Sequence, residues 1–143
     1  MQNRTAQRAI ESFLKSRRQL IVELMKLSHA IEGDLFERST GEQAESYLER
    51  FCQRMVDYLS NGYFRIYRDV LSPQTWTTPR EYAIFDSTTS SAMNFNDHHA
   101  GGGHFDIAHV RRELAIVALA LETRFELEDE MLNRSHEGRA VAV

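Results

Sequence analysis

The sequence predicts an all-α protein, a four-helix bundle formed by one domain over residues 1–143. Three observations carry this. Apolar residues recur every three to four positions over long stretches, and no stretch shows the period-two alternation of a half-buried strand. The two prolines and seven glycines cluster, and four long segments run between the clusters. At 42% hydrophobic and 27% charged residues the composition is that of an ordinary globular chain, long enough to bury a core of its own.

The first helix is expected from about Thr5 to Ile31, with a stripe through Ala6, Ile10, Phe13, Leu14, Ile21, Leu24, Met25, Leu27 and Ile31. "EGDLFERSTGE" ends that pattern. The second helix starts near Glu42 and carries Ala44, Leu48, Phe51, Met55, Leu59, Ile66 and Val70. Inside it stands Asn61-Gly62, a pair that normally marks a turn. The stripe stays in phase on both sides, so one helix is expected, bent at that point. Thr78-Pro79-Arg80-Glu81 has the form of a capping box, with Thr at the N-cap, Pro at the first helical position and Glu at the third. The third helix therefore begins at Pro79 and holds Tyr82, Phe85, Thr89, Ala92 and Phe95. Its centre, "DSTTSSA", has weak helix propensity and needs tertiary support. "HHAGGGH" is a loop. The fourth helix runs from about Asp106 to Asn133, with Ile107, Val110, Leu114, Val117, Ala118, Leu121, Phe125 and Leu132 on one face.

Polar residues interrupt these stripes at telling places. Arg17 lies between Leu14 and Ile21, and Glu128 between Phe125 and Leu132. Charges on a core face are costly unless paired, so Arg17 is expected to meet a carboxylate from another helix, Glu128 or Asp57. At about 100° per residue, Asp57, Ser60 and Phe64 share one sector of the second helix, turned away from the Phe51–Met55–Leu59 stripe. Two readings fit. Arg17 and Glu128 form a structural ion pair with Phe64 filling a seam between helices, or these residues line a polar contact surface for a partner.

Several chemistries are disfavoured. A net charge of −4 and a pI near 5.9 suit a basic protein surface better than a direct nucleic-acid partner. A single cysteine, Cys52, cannot form an internal disulfide, which fits a reducing cytosol. The polar opening "MQNRTAQRAIESFLKSRRQ" does not read as a signal peptide, and no apolar run is long enough to span a bilayer. His98, His99 and His104 flank three glycines, but a glycine-rich loop gives no fixed coordination geometry. The Glu-x-x-His pairs of carboxylate-bridged metal bundles are absent. No metal or other cofactor is therefore expected, and Cys52 reads as an inert buried thiol. No phosphate-cradling glycine motif occurs, and nothing points to an enzyme.

"FCQRMVDYLSNGYFRIYRDVL" (51–71) resembles the signature of the Rsd/AlgQ family, approximately Phe-Cys-Gln-x-x-Val-Asp-Tyr-x-Ser-x-Gly-His-Phe-x-x-Tyr. "SAMNFND" (91–97) and "ETRFELEDEML" (122–132) resemble two further stretches of that family, as does "AIESFLKSRRQLI" with its Arg at position 17. The resemblance implies a four-helix anti-sigma factor that binds the primary sigma factor of bacterial RNA polymerase at its C-terminal helix-turn-helix region, acts in the cytoplasm and is a monomer or weak dimer. By position it implies that Arg17, Asp57, Ser60, Phe64, Phe125 and Glu128 line a partner-binding surface or cavity. Tyr63 replaces a His and Phe13 a Trp of the usual pattern, and the segment between the second and third helices is short. The rival expectation, from another class, is a helical-bundle metal or small-ligand binding protein.

Overall fold

The computed structural model describes residues 2–37, 42–62, 66, 78–100 and 106–141. Four long helices make up the architecture, and there is no strand among the described residues. They are α1 (Gln2–Glu37), α2 (Glu42–Asp57), α3 (Pro79–His99) and α4 (Ile107–Val141), with a π-helical turn, Tyr58–Gly62, continuing directly from α2. Helix α1 packs against α2 and α4, and α3 against α2 and α4, so the four form a closed ring. Cross-helix pairs fix their directions. Glu81–Arg134, Thr89–Arg124 and His99–Glu113 pair α3 with α4 in reverse order. Arg17–Glu128 and Glu32–Arg111 do the same for α1 and α4. No helix is long and apolar enough to cross a membrane among the described residues.

Buried positions follow the helical period closely. In α4, Val110, Leu114, Val117, Leu121, Arg124, Glu128, Met131 and Ser135 step by four and three alternately, which keeps one seam facing inward along the helix. In α1 the seam is Ala6, Ala9, Phe13, Arg17, Leu20, Leu27 and Ile31. Phe51 and Phe95 meet edge to face at the centre, with ring centroids 5.7 Å apart. A smaller cluster of Phe85, Leu127 and Met131 closes the α3–α4 side.

The third helix starts where the sequence places it. Thr78 Oγ1 accepts from the Glu81 amide at 3.2 Å, and Glu81 Oε1 accepts from the Thr78 amide at 3.0 Å. The inward register of α3 differs from expectation. Glu81, Phe85, Thr88, Ala92 and Phe95 point to the core, while Tyr82 is 67% exposed. One residue from Glu81 is a rotation of about 100°, and the capping box turns Glu81, not Tyr82, toward the neighbouring helix.

The Asn61-Gly62 pair lies inside a helical turn that continues directly from α2. The backbone widens into the π-turn at Tyr58–Gly62, and Ile66 is again helical and packed in the core. A π-turn takes up one extra residue, and the expected continuation of the helix to Val70 lies, Ile66 apart, outside the described residues. Tyr63, Phe64, Val70 and His104 lie outside the described residues.

Candidate functional site

Three of the residues singled out in the sequence, Arg17, Phe125 and Glu128, converge between α1, the π-turn and α4. Arg17 follows Phe13 by one turn, which places its guanidinium 5.3 Å from the Phe13 ring centroid and 5.0 Å from that of Phe125. Its head is fully engaged. Nη2 donates to Glu128 Oε1 at 3.3 Å, Nη1 to Asp129 Oδ1 at 2.6 Å, and Nε to the Tyr58 hydroxyl at 3.2 Å. The carboxylate expected opposite Arg17 is thus Glu128, joined by Asp129.

Tyr58 completes the arrangement. Its ring stacks on Phe13 at 5.1 Å and meets Phe125 edge-on at 5.5 Å, and its hydroxyl donates to Glu128 Oε1 at 2.5 Å. The other Glu128 oxygen accepts from Arg124 Nε at 3.4 Å. Arg124 Nη1 reaches across to the Thr89 hydroxyl at 2.8 Å and stands over the Phe85 ring. This contact supplies the tertiary support that the weak centre of α3 needs. Two cations and two anions balance within the group, and every bond of Glu128 is to a charged or strongly polarised donor, the condition under which burying ions is tolerable.

Burial acts on each group. It pushes the Glu128 carboxyl up from its ordinary value against the pull of Arg124, Tyr58 and Arg17. It pushes the Tyr58 phenol far up, and the nearby Glu128 charge adds to that. Burial opposes the charge on Arg17, but Tyr58, Asp129 and Glu128 more than offset it, and Arg17 ends above its ordinary value. The phenol therefore stays protonated and donates. Nothing in this group offers a nucleophile, and burial alone pushes the Cys52 thiol to about 11, well into the unreactive range.

The remaining candidates lie elsewhere. Asp57 and Ser60 are exposed. Asp57 borders a cleft of about 310 Å³ between α1 and α2, with Ser12, Ser16 and Gln19 on one wall and Arg54 and Asn61 on the other. Phe13 and Tyr58 reach its floor, so the cleft sits directly over the Arg17 group. Arg54 Nη1 donates to Gln19 Oε1 at 3.0 Å across it. Phe64 lies outside the described residues.

Sequence reading missed two members of the buried group, although a signal was present for both. Arg124 stands three after Leu121 and four before Glu128, on the seam itself. Tyr58 stands three after Met55 and seven after Phe51. Both extend the spacing that had picked out Arg17 and Glu128.

The comparisons follow from these same stretches. The family described as "Regulator of RNA polymerase sigma(70) subunit, Rsd/AlgQ" matches residues 1–136. A "Regulator of sigma D" of Pectobacterium atrosepticum is 28% identical over 137 residues, covering 90% of this chain and 88% of the relative. One from Pectobacterium carotovorum subsp. carotovorum is 30% identical over 133 residues, covering 86% and 84%. One from Yersinia enterocolitica is 32% identical over 97 residues, covering 62% and 58%. No solved structure matches the chain. With the family match spanning all four helices and every described residue of the Arg17–Glu128 group, this chain belongs to the Rsd/AlgQ family of regulators of the RNA polymerase sigma(70) subunit.

Proposed function

We propose that this protein is an anti-sigma factor. It binds the primary sigma factor of bacterial RNA polymerase in the cytoplasm, through sigma's C-terminal helix-turn-helix region, and so limits how much sigma the polymerase can use. The observation that carries this reading is the family match over residues 1–136, nearly the whole chain. Charge supports it. A helix-turn-helix that docks on promoter phosphates is basic, and a chain of net charge −4 complements it. The protein acts by occupying sigma and performs no chemistry on it.

The buried Arg17 group and the exposed residues above it have different tasks in this reading. Arg17, Tyr58, Phe125 and Glu128 lock α1, the π-turn and α4 in one arrangement. Asp57, which lines the cleft, and Ser60, exposed three residues further on, meet sigma. Phe64 either anchors sigma or fills a seam between helices.

The test is capture of sigma factors from the source bacterium with tagged protein, followed by titration with the isolated C-terminal region of primary sigma at rising salt. Retention of primary sigma, with affinity that falls as salt rises, is expected. Failure to retain it refutes the reading, and salt-indifferent binding refutes the electrostatic part. A wild-type melting temperature in Phe64→Ala with sigma binding weakened by at least about 2 kcal/mol assigns Phe64 to the partner. A drop in melting temperature instead assigns Phe64 to a seam between helices.

A further inference from the structure

At the far end of the α3–α4 pair the chain brings three imidazoles onto one carboxylate. His98 Nδ1 lies 3.2 Å and His99 Nε2 2.7 Å from Glu113 Oε2. His109 Nε2 lies 2.8 Å from the other oxygen, Oε1. The donor atoms of His98, His99 and Glu113 all fall within 4.8 Å of one another. His98 and His99 end α3, while His109 and Glu113 stand one turn apart near the start of α4. The set is therefore held by two regular helices that the antiparallel pairing brings side by side.

We propose that His98, His99 and Glu113 form a zinc site that clamps the end of α3 to the start of α4, with His109 holding the Glu113 carboxylate from its other oxygen. The donor chemistry selects the metal class. Two imidazole nitrogens and one carboxylate oxygen, with no thiolate, form a borderline set suited to Zn2+, and three such ligands leave the fourth tetrahedral position to water. The spacing is close to what the ion needs. Ligands at about 2.0–2.1 Å from a tetrahedral zinc sit about 3.3–3.4 Å from one another. The His98–Glu113 separation already meets this, and the His99 contact needs to open by about 0.6–0.7 Å. Glu113 is the member able to move, since its side chain is 22% exposed while that of His99 is 7% exposed. His99 is held by its neighbours, with its ring centroid 4.7 Å from Phe95 and 5.5 Å from His109. That packing fixes one ligand in place before any ion arrives, which lowers the ordering cost of binding.

This site is separate from the Arg17 group and does not depend on how sigma is bound. Zinc binding to the folded form alone would tighten the α3–α4 corner and raise the melting temperature.

The experiment uses the full chain without a histidine tag, stripped by chelator and titrated with Zn2+ by calorimetry, with melting temperature followed in parallel. One zinc per chain and a rise in melting temperature are expected. Glu113→Gln, His98→Gln and His109→Gln should each weaken zinc binding by at least about 10-fold, as loss of a metal-site group does. His29→Gln, an exposed histidine on α1, should leave it unchanged. The side chains of His98 and His109 are 59% and 48% exposed, so their variants keep the fold and the test stays decisive even if His99→Gln fails to fold. Absence of saturable one-to-one binding overturns the proposal. So does affinity that survives in folded His98→Gln and His109→Gln proteins, or that falls equally in His29→Gln.

Discussion

Removing Arg17 should cost less stability than removing Glu128, although the two face each other. The Arg17 side chain is 10% exposed and that of Glu128 5%, so either deletion breaks a buried ion pair, a loss of about 3–5 kcal/mol. What each deletion leaves behind differs. In Arg17→Ala, Glu128 keeps the Tyr58 hydroxyl at 2.5 Å and Arg124 at 3.4 Å, so no buried charge is stranded and the cost sits near about 3 kcal/mol. In Glu128→Ala, both Arg17 and Arg124 lose their shared buried anion, Tyr58 loses its acceptor, and the cost rises toward about 5 kcal/mol. At about 3 °C per kcal/mol for a chain of this size, the melting temperature falls by about 9 °C and 15 °C respectively. Asp129 is the control. Its contact is the shortest that Arg17 makes, at 2.6 Å, but its side chain is 53% exposed. Solvent screening keeps the value of such a pair below about 1 kcal/mol. Thermal and urea unfolding of the three variants, with the Arg17→Ala/Glu128→Ala double variant to measure coupling, checks this order. If Asp129→Ala costs as much as Glu128→Ala, distance and not burial governs the group. If Arg17→Ala melts with the wild type, the pair does not exist in solution.

Two further outcomes follow from the same geometry. Tyr58→Phe keeps the stack on Phe13 but removes the donor to Glu128 and the acceptor for Arg17; a loss of about 1–3 kcal/mol is expected in chemical unfolding, and an unchanged midpoint argues against the hydroxyl's role. Burial tends to raise the Glu81 carboxyl, but the Thr78 amide and Arg134 outweigh it and hold the group below its ordinary 4.5. A depressed carboxyl contributes stability that is complete above about pH 4.5 and is lost as pH falls through its folded value. Glu81→Gln should therefore destabilise the protein at pH 7 and flatten the acid side of its stability profile, and a mutant profile parallel to wild type between pH 3 and 5 would contradict this.

Much of the fold was legible because a helix repeats its environment every three to four residues. Any side chain that breaks the repeat is visible in one dimension. Arg17 and Glu128 were found that way, and the capping box at Thr78 announced the start of α3 from four adjacent letters. The Asn-Gly pair was legible only in part. The in-phase stripe predicted no break at the pair, and the pair is indeed helical, but the π-turn that holds it accompanies the docking of Tyr58 between Phe13 and Phe125.

What the sequence determined by itself is therefore the set of four amphipathic helices, their inward faces, and the presence of charges on those faces that had to find partners. Only the tertiary structure decided which partners. Asp57 and Glu128 were equal candidates for Arg17 on paper; packing α1 against α4 gave Arg17 to Glu128 and left Asp57 at the rim of the cleft. His98 and His99 read as loop residues beside glycines, yet they close the last turn of α3, and Glu113 reaches them only because α4 returns antiparallel alongside. Periodicity is a property of each helix alone, whereas a pairing between residues 14 or 111 positions apart is set by the relative rotation and axial shift of two helices, which no local pattern encodes.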